Sequence, residues 1–221
     1  MRVRLIYEKR GRACFVPHVA LSALFARSAR RAGIELSYTE GFSPRAKISF
    51  GPELPAGVVA LNEPMDLWLK AYEEITEGKR HNFMEFLVVA FNAQIPEGFR
   101  VKRCVFLEEG SPALGKECKA AHYLVWAKNG PLAGAGATEL LSYMERHYGK
   151  AVLNGFVEQV TFSRVSTVLA DPAQNGIGGL VKALVADRVV DGWHDMCIVR
   201  TGLGRWNGEQ MELTEEGRRV F

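Results

Sequence analysis

The spacing of apolar side chains in the first 107 residues switches between a period of two and a period of 3.6, and this order limits the folds open to the chain. Val3–Lys9 (VRLIYEK) alternates apolar with polar and reads as a strand. His18–Ala32 has helical periodicity and is closed by Gly33, a residue that tolerates the left-handed turn ending many helices. Residues 34–38 (IELSY) and 46–50 (AKISF) read as extended pieces, and Met65–Tyr72 alternates as a strand. Residues 81–94 carry an apolar helical face that Pro96-Glu97-Gly98 ends, and residues 99–108 form a strand. The order β-α-β-β-α-β is that of a ferredoxin-like unit, with two helices on one face of an antiparallel sheet.

Residues 108–118 read as a linker, which divides the chain into domains 1–107 and 119–221. Beyond it come a strand (120–128), a helix (137–148), one or two strands (157–165 and 166–170), a helix (176–189) and a strand (193–201). This is a second β-α-β-β-α-β pattern, so the expected class is α+β, with tandem ferredoxin-like units built as antiparallel sheets with helices on one face. The tail from Gly208 to Phe221 is expected to add a strand and a short helix.

Charge is unevenly placed. The net formal charge is only +3, yet residues 1–60 hold ten Lys and Arg against four acids, leaving the rest of the chain at −3. A basic first part on a mildly acidic remainder suggests one face prepared for an anion. No apolar run approaches the roughly 20 residues of a membrane helix, and the N-terminus has no signal-peptide core, so a cytoplasmic protein without membrane contact is expected. Cys14, Cys104, Cys118 and Cys197 lack the close spacing of metal or cluster ligands and read as free thiols. No metal and no cofactor is expected.

Two segments concentrate the candidate ligand-binding residues. On a helical wheel, Leu21, Leu24, Phe25, Ser28 and Ala32 form the buried stripe of the first helix, and Arg27, Arg30 and Arg31 fall on the opposite arc with no acid between them. This arc is either a solvated face or a phosphate-contacting stripe, a role to which guanidinium forks are suited. Downstream, Gly41-Phe42-Ser43-Pro44 forms a bend, after which Arg45, Lys47 and Ser49 alternate with apolar residues and share one side. That stretch is either an edge hairpin guarded by charge and proline or an anion or RNA track beside which Phe42, Phe50 and Tyr38 stack on bases. The functional reading requires the arc and the track to converge in one positive hollow. His18, just ahead of the helix, joins the set as a ligand residue and as the single catalytic candidate.

These same residues resemble a bacterial family of unknown function, the radical-SAM-linked proteins. Its pattern runs H-x-D-x-x-R, R-R-A-G, G-F-N-P, S-F-x-x-x-L-x-x-G and an acid before a strand. His18, Arg30, Arg31, Gly41, Phe42, Pro44, Ser49, Phe50, Gly57 and Glu63 match it, over a resemblance that covers about residues 3–72. Ala20 stands where the family has Asp, Ala23 where it has Arg, Ser43 where it has Asn and Arg45 where it has His. The resemblance implies a partner, a radical SAM protein to which such domains are fused or adjacent. The tandem architecture also resembles CRISPR repeat-processing endoribonucleases, at the level of fold alone.

The chain carries no phosphate-loop motif, no nucleophile elbow and no paired histidines. The expectation is therefore a non-catalytic accessory module that binds RNA (tRNA or rRNA) or another anionic substrate for a radical SAM partner. The alternatives are a small RNA-acting hydrolase or nuclease using His18 with Arg27, Arg31 and Ser43, and a purely protein-binding partner.

Overall fold

In the computed structural model, which describes residues 1–70, 75, 77–133, 136–214 and 219–220, the elements follow in the order β1 (Arg2–Lys9), α1 (His18–Arg31), β2 (Ile48–Phe50), β3 (Val59–Trp68), α2 (Glu77–Asn92), β4 (Phe99–Leu107), α3 (Leu114–Glu117), β5 (Ala120–Ala127), α4 (Ala137–Tyr148), β6 (Val152–Gln159), β7 (Ser163–Ala170), α5 (Gly178–Ala186), β8 (Met196–Trp206), β9 (Met211–Leu213) and β10 (Arg219–Val220). The local chemistry accounts for several boundaries. Pro17 precedes the first turn of α1, where its missing N–H costs nothing. At the other end Gly33 adopts φ +70°, while Gly33 N donates to Arg30 O at 3.2 Å and Ile34 N to Ala29 O at 2.9 Å. Those two bonds satisfy orphan carbonyls of the last turn, and the positive φ is why a glycine stands there.

All ten strands belong to one mostly antiparallel open sheet, in the order β4-β1-β3-β8-β5-β7-β6, with β2 on β3, β9 on β8 and β10 on β9. Within the first half the neighbours run β4-β1-β3-β2, and within the second β8-β5-β7-β6. Among the described residues the strand ladders of the two halves join at one parallel contact, Val59↔Val199 and Ala60↔Arg200. The chain is thus α+β, and its two halves share one sheet where two separate antiparallel sheets were expected.

α1, α2, α4 and α5 cover one face of this sheet, while Glu117 of α3 reaches Arg4 on the other. Val3, Leu5 and Tyr7 of β1 point into a cluster under α1 and α2 with Phe25, Leu87 and Phe91. Ala60 of β3 points to the same side, since it pairs with Lys9, yet it packs into the second cluster with Leu140, Met144, Leu180 and Leu184 of α4 and α5. Leu54 and Val58 also enter that second cluster, so the segment between β2 and β3 plugs the second half. On the opposite face, β9 covers a smaller cluster of Ala120, Val168, Met211 and Leu213.

The structure departs from the sequence expectation at several places. Residues 34–38 form isolated bridges, Leu36↔Leu69 and Tyr38↔Ala46, in place of a strand. β3 starts at Val59, six residues before the expected Met65, and ends at Trp68; the expected continuation to Tyr72 runs into residues 71–74, outside those described. Pro64 conceals this strand in the sequence because proline cannot donate to a ladder. It fits because β3 meets β8 at residues 59–60 and β2 at residues 65–67, and Pro64 falls in the gap between the two. The 157–170 region is a hairpin of β6 and β7 beginning at Val152. The tail is strand at β9 and β10, and the short helix expected there falls on residues 215–218 and 221, which lie outside those described. Residues 108–118 pack closely: Leu114 is buried in the second cluster, and Arg2 donates to Ser111 O at 2.7 Å and Pro112 O at 2.9 Å.

Candidate functional site

The arginine arc is solvent-facing, as its wheel position requires. α1 buries Leu21, Phe25, Ser28 and Ala29, and leaves Arg27, Arg30 and Arg31 exposed. Arg27 Nε donates back to Ala23 O at 3.1 Å, and Arg31 Nη2 reaches Gln94 O at 2.7 Å beyond the end of α2. Arg30 turns the other way. With Lys70, Glu35 and Tyr38 it lines a shallow cavity of about 350 Å³ at the C-terminal end of α1.

The bend at 41–44 is the tip of a hairpin. Thr39 N donates to Arg45 O at 2.8 Å, Arg45 N to Thr39 Oγ1 at 3.0 Å, and Lys47 N to Ser37 O at 2.8 Å. Gly41 at φ +116° and Pro44 close the turn, leaving Phe42 fully exposed at 112% and Ser43 exposed beside it. Ala46, Ile48 and Phe50 pack toward the core under α1. Alternation therefore sends Arg45, Lys47 and Ser49 to the face opposite α1 and α2, where Ser49 stands opposite Asp66. The arginine arc and the Arg45–Lys47–Ser49 track thus lie on opposite faces of the sheet and do not enclose one hollow. Tyr38, paired with Ala46, is on the helix side and belongs with Arg30.

His18 has different neighbours from those the sequence offered. It is half-buried at the start of α1, edge-on to Phe50 with ring centroids 5.6 Å apart. At 1.5 Å per residue, Arg27 and Arg31 stand about 14 and 20 Å further along the helix axis. Burial lowers the His18 pKa, with Glu53 and Glu63 pulling it up and Arg200 and Lys9 pushing it down. These charged neighbours form a polar seam between the halves. Arg200 donates from Nε to Glu63 Oε1 at 2.8 Å and from Nη2 to Glu63 Oε2 at 2.5 Å. It also binds Pro52 O at 2.9 Å and Glu53 O at 3.2 Å, holding the segment that plugs the second core. Lys9, 2% exposed, donates to Val16 O at 3.2 Å; burial lowers its pKa, opposed by Cys14 and Glu63.

Of this seam, the family pattern included only Glu63, with His18 and Phe50. Lys9 and Arg200 had one sequence signal, a charge in a strand register otherwise apolar. Two further buried networks were equally silent. Arg4 forks onto Asp66 (Nε–Oδ1 2.7 Å) and reaches Glu117, while Arg2 shares Asp66. His122 holds Thr201 Oγ1 at 2.5 Å and Ser166 Oγ at 2.8 Å, and burial pushes its pKa down to about 4. Cys14 and Cys118 are buried free thiols, and burial raises the pKa of each. Among the described residues no group of three or more His, Cys, Asp or Glu side chains has the arrangement of a metal site, and no helix is long and apolar enough to cross a membrane.

Comparison with known proteins adds little beyond the family. A crystal structure of an unknown protein from Galdieria sulphuraria aligns over 90% of this chain and 96% of its own, at 9% identity and a TM-score of 0.27. The ligand-free regulatory subunit of aspartate kinase from Thermus thermophilus aligns over 81% of this chain and 87% of its own, at 11% identity and a TM-score of 0.20. Superpositions this loose constrain neither fold nor function. No curated protein matches the chain. The family model described as "uncharacterized protein conserved in bacteria" (DUF2344) matches residues 2–164, which takes in the whole first half, the linker and the β5-α4-β6 run, and the chain belongs to that bacterial family of unknown function.

Proposed function

We propose that the chain is a non-catalytic accessory module that holds RNA or another polyanionic substrate for a partner enzyme, a radical SAM protein on the resemblance its first 72 residues carry. In this reading each half is a ferredoxin-like unit, and the first presents the ligand at the C-terminal end of α1. One observation carries the proposal: the cations of this chain divide into two populations. Arg2, Arg4, Arg164 and Arg200 are paired with carboxylates. Arg27, Arg30, Arg45, Lys47 and Lys70 are exposed and, among the described residues, have no carboxylate within ion-pair distance. Exposed cations beside Tyr38 and a fully exposed Phe42 match the pairing of charge and aromatic surface that single strands use. With the arc and the track on opposite faces, no single hollow is required: Arg30, Lys70 and Tyr38 form the contact on the α1 side, Phe42 continues it at the hairpin tip, and Arg45 and Lys47 face away from it. Hydrolysis through His18 is the weaker reading, because its intended partners stand far along α1 or on the hairpin tip.

Fluorescence anisotropy with a labelled 20-nucleotide single-stranded RNA tests the proposal. Affinity is expected to fall with salt, with a log–log slope of roughly −0.7 per phosphate neutralised. Arg30→Glu with Lys70→Glu should weaken binding at least tenfold and flatten that slope. Phe42→Ala removes a side chain that touches solvent alone, so stability should hold while affinity drops by about tenfold, within the roughly 1–3 kcal/mol range of a base–aromatic stack. No binding at low salt, or binding indifferent to all three substitutions, sinks the reading.

A further inference from the structure

β6 is the outermost strand at its end of the sheet: among the described residues it pairs with β7 alone. Thr167 Oγ1 donates to Asn154 O at 2.9 Å, so the Asn154 carbonyl is turned inward to β7. By alternation Gly155, Val157 and Gln159 turn their N–H and C=O groups to the open side, a template for one more strand. Edges of this kind are ordinarily guarded by lysine, proline or unbalanced charge. β4, the outer strand at the other end, carries Arg100, Lys102 and Arg103. β6 has no lysine, no proline and one charge, Glu158, which Arg164 of β7 neutralises at 2.7 Å. It also presents apolar surface: Phe156 is 40% exposed on the strand, and Val160 and Phe162 are 65% and 43% exposed at the tip of the same hairpin.

The order of residues in β6 makes the strand complementary to itself. A Cβ on Gly155 would lie 2.8 Å from Leu141 Cδ1 of α4, so Gly155 faces the helices and Phe156 the opposite side. Two copies related by a two-fold axis perpendicular to the sheet pair their β6 strands antiparallel and keep each face continuous. With the axis at Phe156, that ring stands directly opposite its symmetry mate, Gly155 opposite the second copy's Val157, and Asn154 opposite the second copy's Glu158. The outward groups of Gly155 and Val157 then exchange both backbone hydrogen bonds, and Phe156 takes the non-hydrogen-bonded position, where opposed side chains come closest. An aromatic pair there is stabilising. Asn154, whose side-chain amide has no partner among the described residues, gains a carboxylate across the ladder. Moving the axis to Gly155 or Val157 sets Phe156 against Asn154 or Glu158, and moving it to Glu158 opposes two carboxylates, which is destabilising. An unrelated strand would have to supply this pattern; a second copy has it by symmetry.

We infer that β6 is a self-association edge, through which two copies of this chain join their sheets antiparallel about a two-fold axis at Phe156. The surface belongs to the second half and does not depend on nucleic-acid binding near α1. Sedimentation velocity of the full chain between about 10 µM and 1 mM should show conversion to a species of twice the monomer mass and none larger. Amide exchange in dilute and concentrated protein should differ at Gly155, Val157 and Gln159, which gain protection only on association, while Asn154, Phe156 and Glu158 are protected in both. Phe156→Lys and Phe156→Glu each oppose like charges across the axis and should weaken dimerisation at least tenfold. Their equimolar mixture should restore it, because position 156 meets itself in this register; loss of an apolar contact alone would not be reversed by mixing. Both changes fall on an exposed side chain, and unchanged exchange in the other strands checks that each variant keeps its fold. A chain that stays monomeric at about 1 mM, a mass beyond the dimer, new protection confined to other strands, or two variants that remain apart when mixed would each overturn the inference.

Discussion

Glu63 of β3 and Arg200 of β8 close a two-pronged ion pair across the seam between the halves, with side chains 5% and 1% exposed. The two strands meet in parallel at two register positions, so the pair reinforces a thin backbone connection. Burial is the largest single influence on Arg200 and opposes its charge; Glu63 and Tyr123 together more than offset it, keeping the guanidinium protonated. Glu63→Gln leaves a buried cation with its counter-charge removed, and should cost about 3–5 kcal/mol. Replacing both partners, Glu63→Leu with Arg200→Met, removes the orphan charge and should cost less than the single change, although the carbonyls of Pro52 and Glu53 lose their donor. Urea unfolding midpoints at constant m decide the matter. A Glu63→Gln protein within 1 kcal/mol of the parent would mean that the pair contributes little.

His122 makes stability depend on pH, and the sign follows from its burial. In the unfolded chain a histidine takes up a proton near pH 6.5; the buried ring, satisfied by Thr201 and Ser166, does so only near 4. Between these values the unfolded state binds more protons, so acid favours unfolding. The His122 contribution is complete above about pH 6.5 and is lost at about 1.4 kcal/mol per pH unit on the way down to pH 4. His18, lowered chiefly by burial, acts in the same direction. From pH 7 to pH 5 the parent should lose about 2 kcal/mol through His122, and His122→Gln should shrink that loss while His18 retains its share. An identical pH slope in the variant would show that the ring titrates normally.

Local periodicity carried much of this fold. α1, its end at Gly33 and the Leu21, Phe25 and Ser28 part of its buried stripe were readable, because each depends on residues within a few positions of one another; Ala29 is buried where the wheel put Leu24 and Ala32, which are half-buried. Of β3, residues 65–68 were readable and 59–64 were not, because Glu63 and Pro64 break the alternation, and only the gap between β2 and β8 explains why they are tolerated. Arg200 and Glu63 stand 137 residues apart, and nothing local in either segment names the other. The candidate site shows the same division. Alternation put Arg45, Lys47 and Ser49 on one side of their segment and the wheel put Arg27, Arg30 and Arg31 on one side of α1. Neither pattern tells which side of the sheet each group faces, and the answer separates them.

β9 runs so close beside β8 that one position of β8 has no room for a side chain. Gly204 pairs with Leu213, and a Cβ on Gly204 would sit 1.8 Å from Glu212 O and 2.7 Å from Glu212 C. Both are backbone atoms, so no side-chain rotation relieves the clash, and Gly204→Ala must push β9 off the sheet. Met211 and Leu213, 0% and 7% exposed, would then lose their cover over Ala120 and Val168. Arg4 would lose Thr214 O, which it binds at 3.1 Å. At about 1.5–3 kcal/mol for each of the two apolar side chains, the expected loss is about 3–6 kcal/mol. The same displacement should open the 207–214 segment to limited proteolysis before the rest of the chain unfolds. By contrast, a Cβ on Gly51 would meet the Leu203 Cδ1 methyl at 2.7 Å, the mobile end of a side chain. Gly51→Ala should therefore cost well under half as much, and equal losses in the two variants would mean that β9 accommodates the methyl by sliding as a unit.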